Sequence, residues 1–291
     1  MATGTGRTVA ASVLSSAGAE AVRVRRRLQL FMVALISKTR TTFESGVTLA
    51  EQCSESKGHS YTVCRMTSTA VQSEGRRARQ RRELLVAIEV EARRMLDEGG
   101  PGAVSMRAIA RAVGMGPASL YNYFTGIDDI FTMLLLSSYR RLADATAAAA
   151  EQFADAPPAD RVLAAILAHR RWALDHRNEF NLLFTDQLPG YAAPPGGPTI
   201  DAQTEVFRPL LEAVAELSPT ESDGLPLELG VLVWTTFHGA VTLEVNHHLD
   251  WLPDPAAMHE RAVRAAMASI GLPAPSPHVR TRFDRWLKVS T

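Results

Sequence analysis

The 291-residue chain predicts an all-α fold in two parts: a three-helix module built on a helix-turn-helix, and a larger helical body behind it. Three observations predict it. Residues 104–124, VSMRAIARAVGMGPASLYNYF, hold two short apolar stripes at helical spacing with Gly114 and Gly116 between them. Before them a longer stripe, Leu84, Leu85, Ile88, Ala92, Met95 and Leu96, runs into Gly99-Gly100-Pro101-Gly102, which cannot continue a helix. After them, residues 127–270 repeat helical periodicity between breaks rich in proline and glycine.

The first 75 residues stand apart. Residues 1–65 are rich in Ala, Ser, Thr and Gly and show little periodicity outside 20–37. Met66 then opens MTSTAVQSEGRRARQRREL, an ordinary short lead into the helical module. The expectation is that translation starts at or near Met66, so that the preceding residues are a gene-model extension. The competing reading is a genuine disordered or partly helical tail. Leu28 to Ile36 follows Arg25-Arg26-Arg27 like a signal sequence, but it starts late and no small-residue cleavage site follows promptly. Cys53 and Cys64 imply no disulfide framework or metal site and read as reduced thiols of a cytoplasmic protein.

Arg76, Arg77, Arg79, Arg81 and Arg82 place five arginines in seven residues, just where a helix over 79–98 is predicted to begin. A basic run alone is most often a solvated segment. Beside a helix-turn-helix it reads as an arm on phosphates or in the minor groove. Ser105 is a good N-cap for the next helix, whose stripe is Met106, Ile109, Ala110 and Val113, with Arg107 and Arg111 off it. Gly114 suits the left-handed residue that ends a helix, and Pro117 suits the first position of the next. Leu120 and Phe124 face the core, leaving Pro117, Ala118, Ser119, Tyr121 and Asn122 outward. A helix entering the major groove needs small residues near its start, which Ala118 and Ser119 supply. Asn122 matches an adenine edge, and Tyr121 and Tyr123 can donate to phosphates. A small helical bundle would show the same two stripes; the flanking helix and its arginines favour DNA.

In the body, helices are predicted over 161–175, 179–184, 201–217, 227–249 and 255–270, with a tail over 272–291 that turns briefly at 282–287. The loop over 185–199 holds Pro189, Pro194, Pro195 and Pro198 and is expected to flex as a pocket entrance. Trp234 and His238, four apart, share a helix face with Val241 and Val245. Gly230 and Gly239 should each cost about 1 kcal/mol inside a helix, a cost that close helix–helix approach would offset. His238 is either a satisfied core histidine or a ligand contact. The candidate lining of a small-molecule site is Trp172, Phe180, Phe184, Trp234 and His238. His247 and His248 are adjacent, point different ways and make a poor metal pair. No metal or cofactor is expected.

Residues 81–141 resemble the TetR family of transcriptional regulators. The matching elements are the first helix ending in glycines, then S-M-R-A-I-A-R-A-V-G, then L-Y-N-Y-F, then Asp128 opening a fourth helix. The W-x-x-x-H-G spacing at Trp234, His238 and Gly239 resembles the C-terminal domain that some members carry. The resemblance implies a DNA-binding head over 76–141, with its helix-turn-helix at 104–123, and a ligand-binding and dimerisation body over 142–271. It implies a homodimer held by the last two long helices, released as a repressor from a double-stranded DNA operator by a small-molecule effector. A constitutive dimer with no ligand is the alternative. Two departures matter. Ile127 stands where the family usually has a phosphate-facing lysine, and Gly116-Pro117 stands where a serine or threonine is common. Both shift the expected phosphate contacts to the arginine run, Ser105 and the tyrosines.

Charge fits this reading. Residues 1–75 carry nine basic and five acidic groups, 76–141 eleven and seven, and 142–291 eleven and nineteen. A basic head on an acidic body keeps the body off phosphates. Pairing also follows from physics, since one short reading helix binds weakly while two on a two-fold axis read spaced half-sites. No apolar run is long enough for a transmembrane helix. The chain lacks G-x-S-x-G, H-E-x-x-H, a P-loop and a complete G-x-G-x-x-G, so no enzyme is expected.

Overall fold

A computed structural model of the chain describes residues 75–185, 188, 191, 197–217 and 225–290, which hold ten helices and no strand. Residues 1–74, with Met66, Cys53 and Cys64, and most of the 185–199 loop lie outside the described residues. Helix α1 spans Arg76–Gly99 and starts three residues earlier than predicted. Arg, Ala and Gln are good helix formers, and Gly75 accepts from Ala78 N (2.9 Å) and Arg79 N (3.1 Å), so the helix extends back through the arginines. The expected arm is therefore helical. Its far end stops at Gly100, whose φ of 68° suits glycine and whose N–H returns to Leu96 O at 2.8 Å. A 3₁₀ turn, Pro101–Ala103, follows.

Helix α2, Met106–Ala112, and α3, Pro117–Leu120, form the expected pair. Ser105 Oγ accepts from Ala108 N at 3.2 Å, capping α2. Gly114, at φ 72°, closes α2: its N–H bonds Arg111 O (3.2 Å) while Met115 N bonds Ala110 O (2.8 Å). These paired bonds are a Schellman end. After α3 the chain turns on through Tyr123 and Phe124, which both bond Leu120 O. Ile88, Ala92, Met95, Leu96, Ile109, Ala110, Leu120 and Phe124 bury together as the core of the head.

Helix α4, Ile127–Gln152, runs unbroken past residue 141, where the head was expected to end, because Leu142–Ala150 contains no helix breaker. Helices α5 (Pro158–Asp175) and α7 (Pro198–Leu217) pack on it, and α6 (Arg177–Phe184) fills the corner between α4, α5 and α1. Helix α7 begins at Pro198, the residue type best suited to a first turn, rather than at Asp201. Helices α8 (Leu225–Val245) and α9 (Pro255–Ser269) form a pair laid on α5 and α7. Helix α8 ends at Val245 rather than Leu249, where the chain turns with His247 at φ 63°.

The C-terminal segment is not a tail. Helix α10, Val279–Ser290, packs on α5. Val279 and Phe283 are buried, with Trp286 and Leu287 partly buried, an apolar stripe at helical spacing. Arg282 lies over the Phe153 ring at 4.3 Å and donates to Gln152 O at 2.7 Å.

Candidate nucleic-acid interface and ring cluster

The head presents one exposed surface built from α3 and its following turn. Pro117, Ala118, Ser119, Asn122 and Tyr121 are exposed, Tyr121 at 56 %. Leu120 and Phe124 point the other way and anchor this surface to the core. Tyr123 is half-buried, with the Arg81 guanidinium 4.9 Å from its ring centroid. Arg107 and Arg111 are exposed on α2, and Ser105 is exposed but its oxygen is spent on the cap. Ile127 is partly buried against the core, so its position supplies no cation to a phosphate.

Arg76, Arg77 and Arg79 are exposed on the first turns of α1. At about 100° per residue the five arginines of the run spread around the whole helix. They cannot all face one duplex, as a flexible arm could.

In the body, the predicted rings Phe180, Phe184, Trp234 and His238 come together, and Trp172 does not. Trp234 stacks on His238 (5.0 Å between centroids, 24° between planes). Phe184 meets His238 edge-on at 4.7 Å, and Phe180 lies 5.0 Å from Phe184. Trp172 is buried one helical turn along α5, where its ring contact is with His176 at 5.1 Å. His169 and Phe237 complete the cluster, 5.1 Å apart. His169 sits three residues before Trp172 on the buried face of α5 (Val162, Ile166, His169, Ala173). Its spacing was visible in the sequence, but its partner rings come from α6 and α8.

The cluster is poor in protein hydrogen bonds. Trp234 Nε1, His238 Nδ1, His169 Nε2 and Thr242 Oγ1 are buried with no partner among the described residues. Burial pushes the His238 pKa down from 6.5 to about 4. Burial, and then the neighbouring His238 and His259, hold His169 well below its usual value. Both imidazoles are therefore neutral at neutral pH. Beside His169, between α4, α5, α7 and α8, lies a cavity of about 10 Å³ bounded by Thr146, Phe207 and Phe237. Gly239 is exposed and a Cβ there would meet nothing within 4 Å, so any close approach it permits is not to this chain's own helices. Among the described residues no group of three His, Cys, Asp or Glu is placed to hold a metal ion, and no helix is long and apolar enough to cross a membrane.

Comparison with known proteins agrees with both parts. Residues 88–134 match the family described as bacterial regulatory proteins, tetR family, and residues 162–266 match the tetracyclin repressor-like C-terminal domain. The HTH-type transcriptional regulator Rv1816 of Mycobacterium tuberculosis is 30% identical over 232 residues, 70% of this chain and 98% of that protein. The HTH-type transcriptional regulator Mb1846 of Mycobacterium bovis matches to the same extent. Among solved structures, the putative regulatory protein SCO4313 aligns with a TM-score of 0.58 at 26% identity, covering 67% of this chain and all of that one. The match spans nearly the whole length of these relatives, and the chain belongs to the TetR family of DNA-binding transcriptional regulators, which are not enzymes.

Proposed function

We propose that the chain is a homodimeric cytoplasmic repressor. It holds a double-stranded operator through Pro117, Ala118, Ser119, Tyr121, Asn122 and Tyr123, with Arg107 and those of Arg76, Arg77 and Arg79 that face the duplex on the flanking phosphates, and with Ser105 capping α2 beside them. It leaves that operator when an uncharged, largely apolar molecule enters the ring cluster. The observation that carries the reading is the set of three buried ring nitrogens, Trp234 Nε1, His238 Nδ1 and His169 Nε2, that have no partner among the described residues. Each unmade hydrogen bond of this kind costs about 1–3 kcal/mol, which a bound molecule with its own donor and acceptor would offset. Neutral imidazoles suit an uncharged occupant.

Pairing is supported by the outer stripe of α8. Leu232 and Leu243 are each 45 % exposed, with exposed Gly239 between them, and Ala265 and Ala268 are exposed on α9. Such a stripe lets a second copy approach closely, and two copies would set their α3 helices for half-sites about 34–36 Å apart. The constitutive alternative draws support from the cavity, whose volume of about 10 Å³ holds little more than a water. The test uses a duplex selected from a random-sequence library by the wild-type protein. Uncharged aromatic compounds are screened for release of that duplex and for thermal stabilisation, with the mass measured by ultracentrifugation. Release by a compound that loses its effect in His238→Leu supports the reading. If no compound releases or stabilises, the body only dimerises.

A further inference from the structure

Glu179 has no part in the reading above, yet it is completely buried in the first turn of α6. Its Oε2 accepts from Arg93 Nη1 (2.5 Å) and from Ser138 Oγ (2.6 Å), and its Oε1 accepts from Arg141 Nη1 (2.5 Å). Ser138 and Arg141 belong to α4, but Arg93 belongs to α1, in the head. The same guanidinium is gripped by Glu89 (2.5 Å) and Ser137 Oγ (2.8 Å). One residue earlier on α6, Asn178 Nδ2 donates to Asp97 O at 2.7 Å, one of the last carbonyls of α1. Helix α6 therefore grips α1 at two points one turn apart. About 100° and 140° further round the same helix, Phe180 and Phe184 enter the ring cluster. Helix α6 thus puts side chains both into that cluster and onto α1, and α4 runs beside it, with Tyr139 edge-on to Phe184 at 6.1 Å and Ser137 on Arg93.

We propose that Glu179 is a positioning residue for DNA binding: through Arg93 it sets the pose of α1, and α6 is the rigid link by which packing in the ring cluster reaches the reading head. The link to the cluster rests on the reading of that cluster as the effector site. The positioning role does not need an effector. A buried carboxylate is suited to this task because its shared bonds have fixed directions, whereas an apolar contact would let α1 slide. Arg93 is engaged by three protein groups, so it is not available to a phosphate.

The test uses the full chain and the duplex selected by wild-type protein, without any effector. Glu179→Gln keeps the side-chain volume and removes the charge. Arg93→Lys keeps the charge and loses the planar fork, and it serves if Glu179→Gln does not fold. We expect about tenfold weaker DNA binding from folded protein of unchanged mass, with the salt dependence of binding unchanged. A purely structural role would lower the melting temperature while leaving the affinity of the folded protein alone, and that result overturns the proposal. So does a salt slope reduced by about 0.9 in Arg93→Gln, a variant that removes the charge; such a loss would make Arg93 a phosphate contact. Phe184→Leu tests the link: it should alter affinity in the wild-type background and have a smaller effect in Glu179→Gln. Additive effects would refute the link. An effector screen that finds nothing would sink the ligand reading while leaving these affinities to be judged by themselves.

Discussion

Replacing His259 with leucine should remove a large part of the acid sensitivity of the fold. His259 lies on α9, is completely buried, and has no hydrogen-bond partner at either ring nitrogen among the described residues. Burial first, and then the nearby Arg170 charge, lower its pKa from 6.5 to about 3. The imidazole is thus neutral in the fold but protonates near pH 6.5 in the unfolded chain. Between those values the unfolded state binds the extra proton, so stability is fully present above about pH 6.5 and is lost as pH falls. At about pH 5 the protonation of the unfolded imidazole is worth about 2 kcal/mol, against less than about 0.1 kcal/mol at about pH 7.5. The wild-type chain should therefore lose about 2 kcal/mol through this one group over that span, and His259→Leu should not. At the higher pH the variant should be within about 1 kcal/mol of wild type, since leucine leaves no unmade hydrogen bond. Urea unfolding at one protein concentration and both pH values measures this. If wild type and variant lose the same stability to within about 0.5 kcal/mol, His259 is not the buried neutral group described.

Three further outcomes follow from the exposed surfaces. Tyr121→Ala and Asn122→Ala should each weaken binding to the selected duplex by about 1–3 kcal/mol without changing the melting temperature, because neither side chain supports the core. Replacing Arg76, Arg77 and Arg79 together by alanine should lower the salt slope by less than the ~0.9 per contact that three phosphate contacts would give, since the helix spreads them around its axis; a full loss of three would restore the flexible arm. Leu243→Glu on the outer stripe of α8 should yield a monomer by ultracentrifugation and cost DNA affinity, while circular dichroism stays helical.

The head was legible because its signals are local. Ser105, Gly114, Pro117 and the apolar stripe each act within one or two turns, and each takes the position that its chemistry favours. The start of α1 was misplaced because a run of arginines reads as an arm by charge and as a helix by propensity, and propensity won once Gly75 could begin the bonds. Helix α10 was missed for a different reason. Pro273, Pro275 and Pro277 suggested a tail, and the stripe of Val279, Phe283, Trp286 and Leu287 shows its purpose only when α5 lies beside it. The ring cluster was half visible, since Trp234 and His238 share one helix face while His169 comes from a distant helix. Glu179 was invisible: its partners Arg93 and Arg141 lie 86 and 38 residues away, and nothing local distinguishes it from a surface glutamate.

The two glycines of the turn between α2 and α3 do opposite things, and this can be measured. Gly114 sits at φ 72° with open space around its Cβ direction, so a side chain there meets no atom but pays for the left-handed backbone. Gly114→Ala should cost about 1 kcal/mol, roughly 2–4 °C in melting temperature for a body of this size. Gly116 has ordinary extended angles, φ −69° and ψ 143°, and its nearest neighbour to a Cβ is Ser119 Oγ at 4.0 Å. Serine at that N-cap can accept from a free N–H of α3, so Gly116→Ser should raise stability by a few tenths of a kcal/mol. Thermal unfolding of the two variants should therefore shift in opposite directions. Equal losses would mean that the turn is held by contacts around it rather than by the backbone of Gly114, and the placement of α3 would then have to be assigned to Leu120 and Phe124 alone.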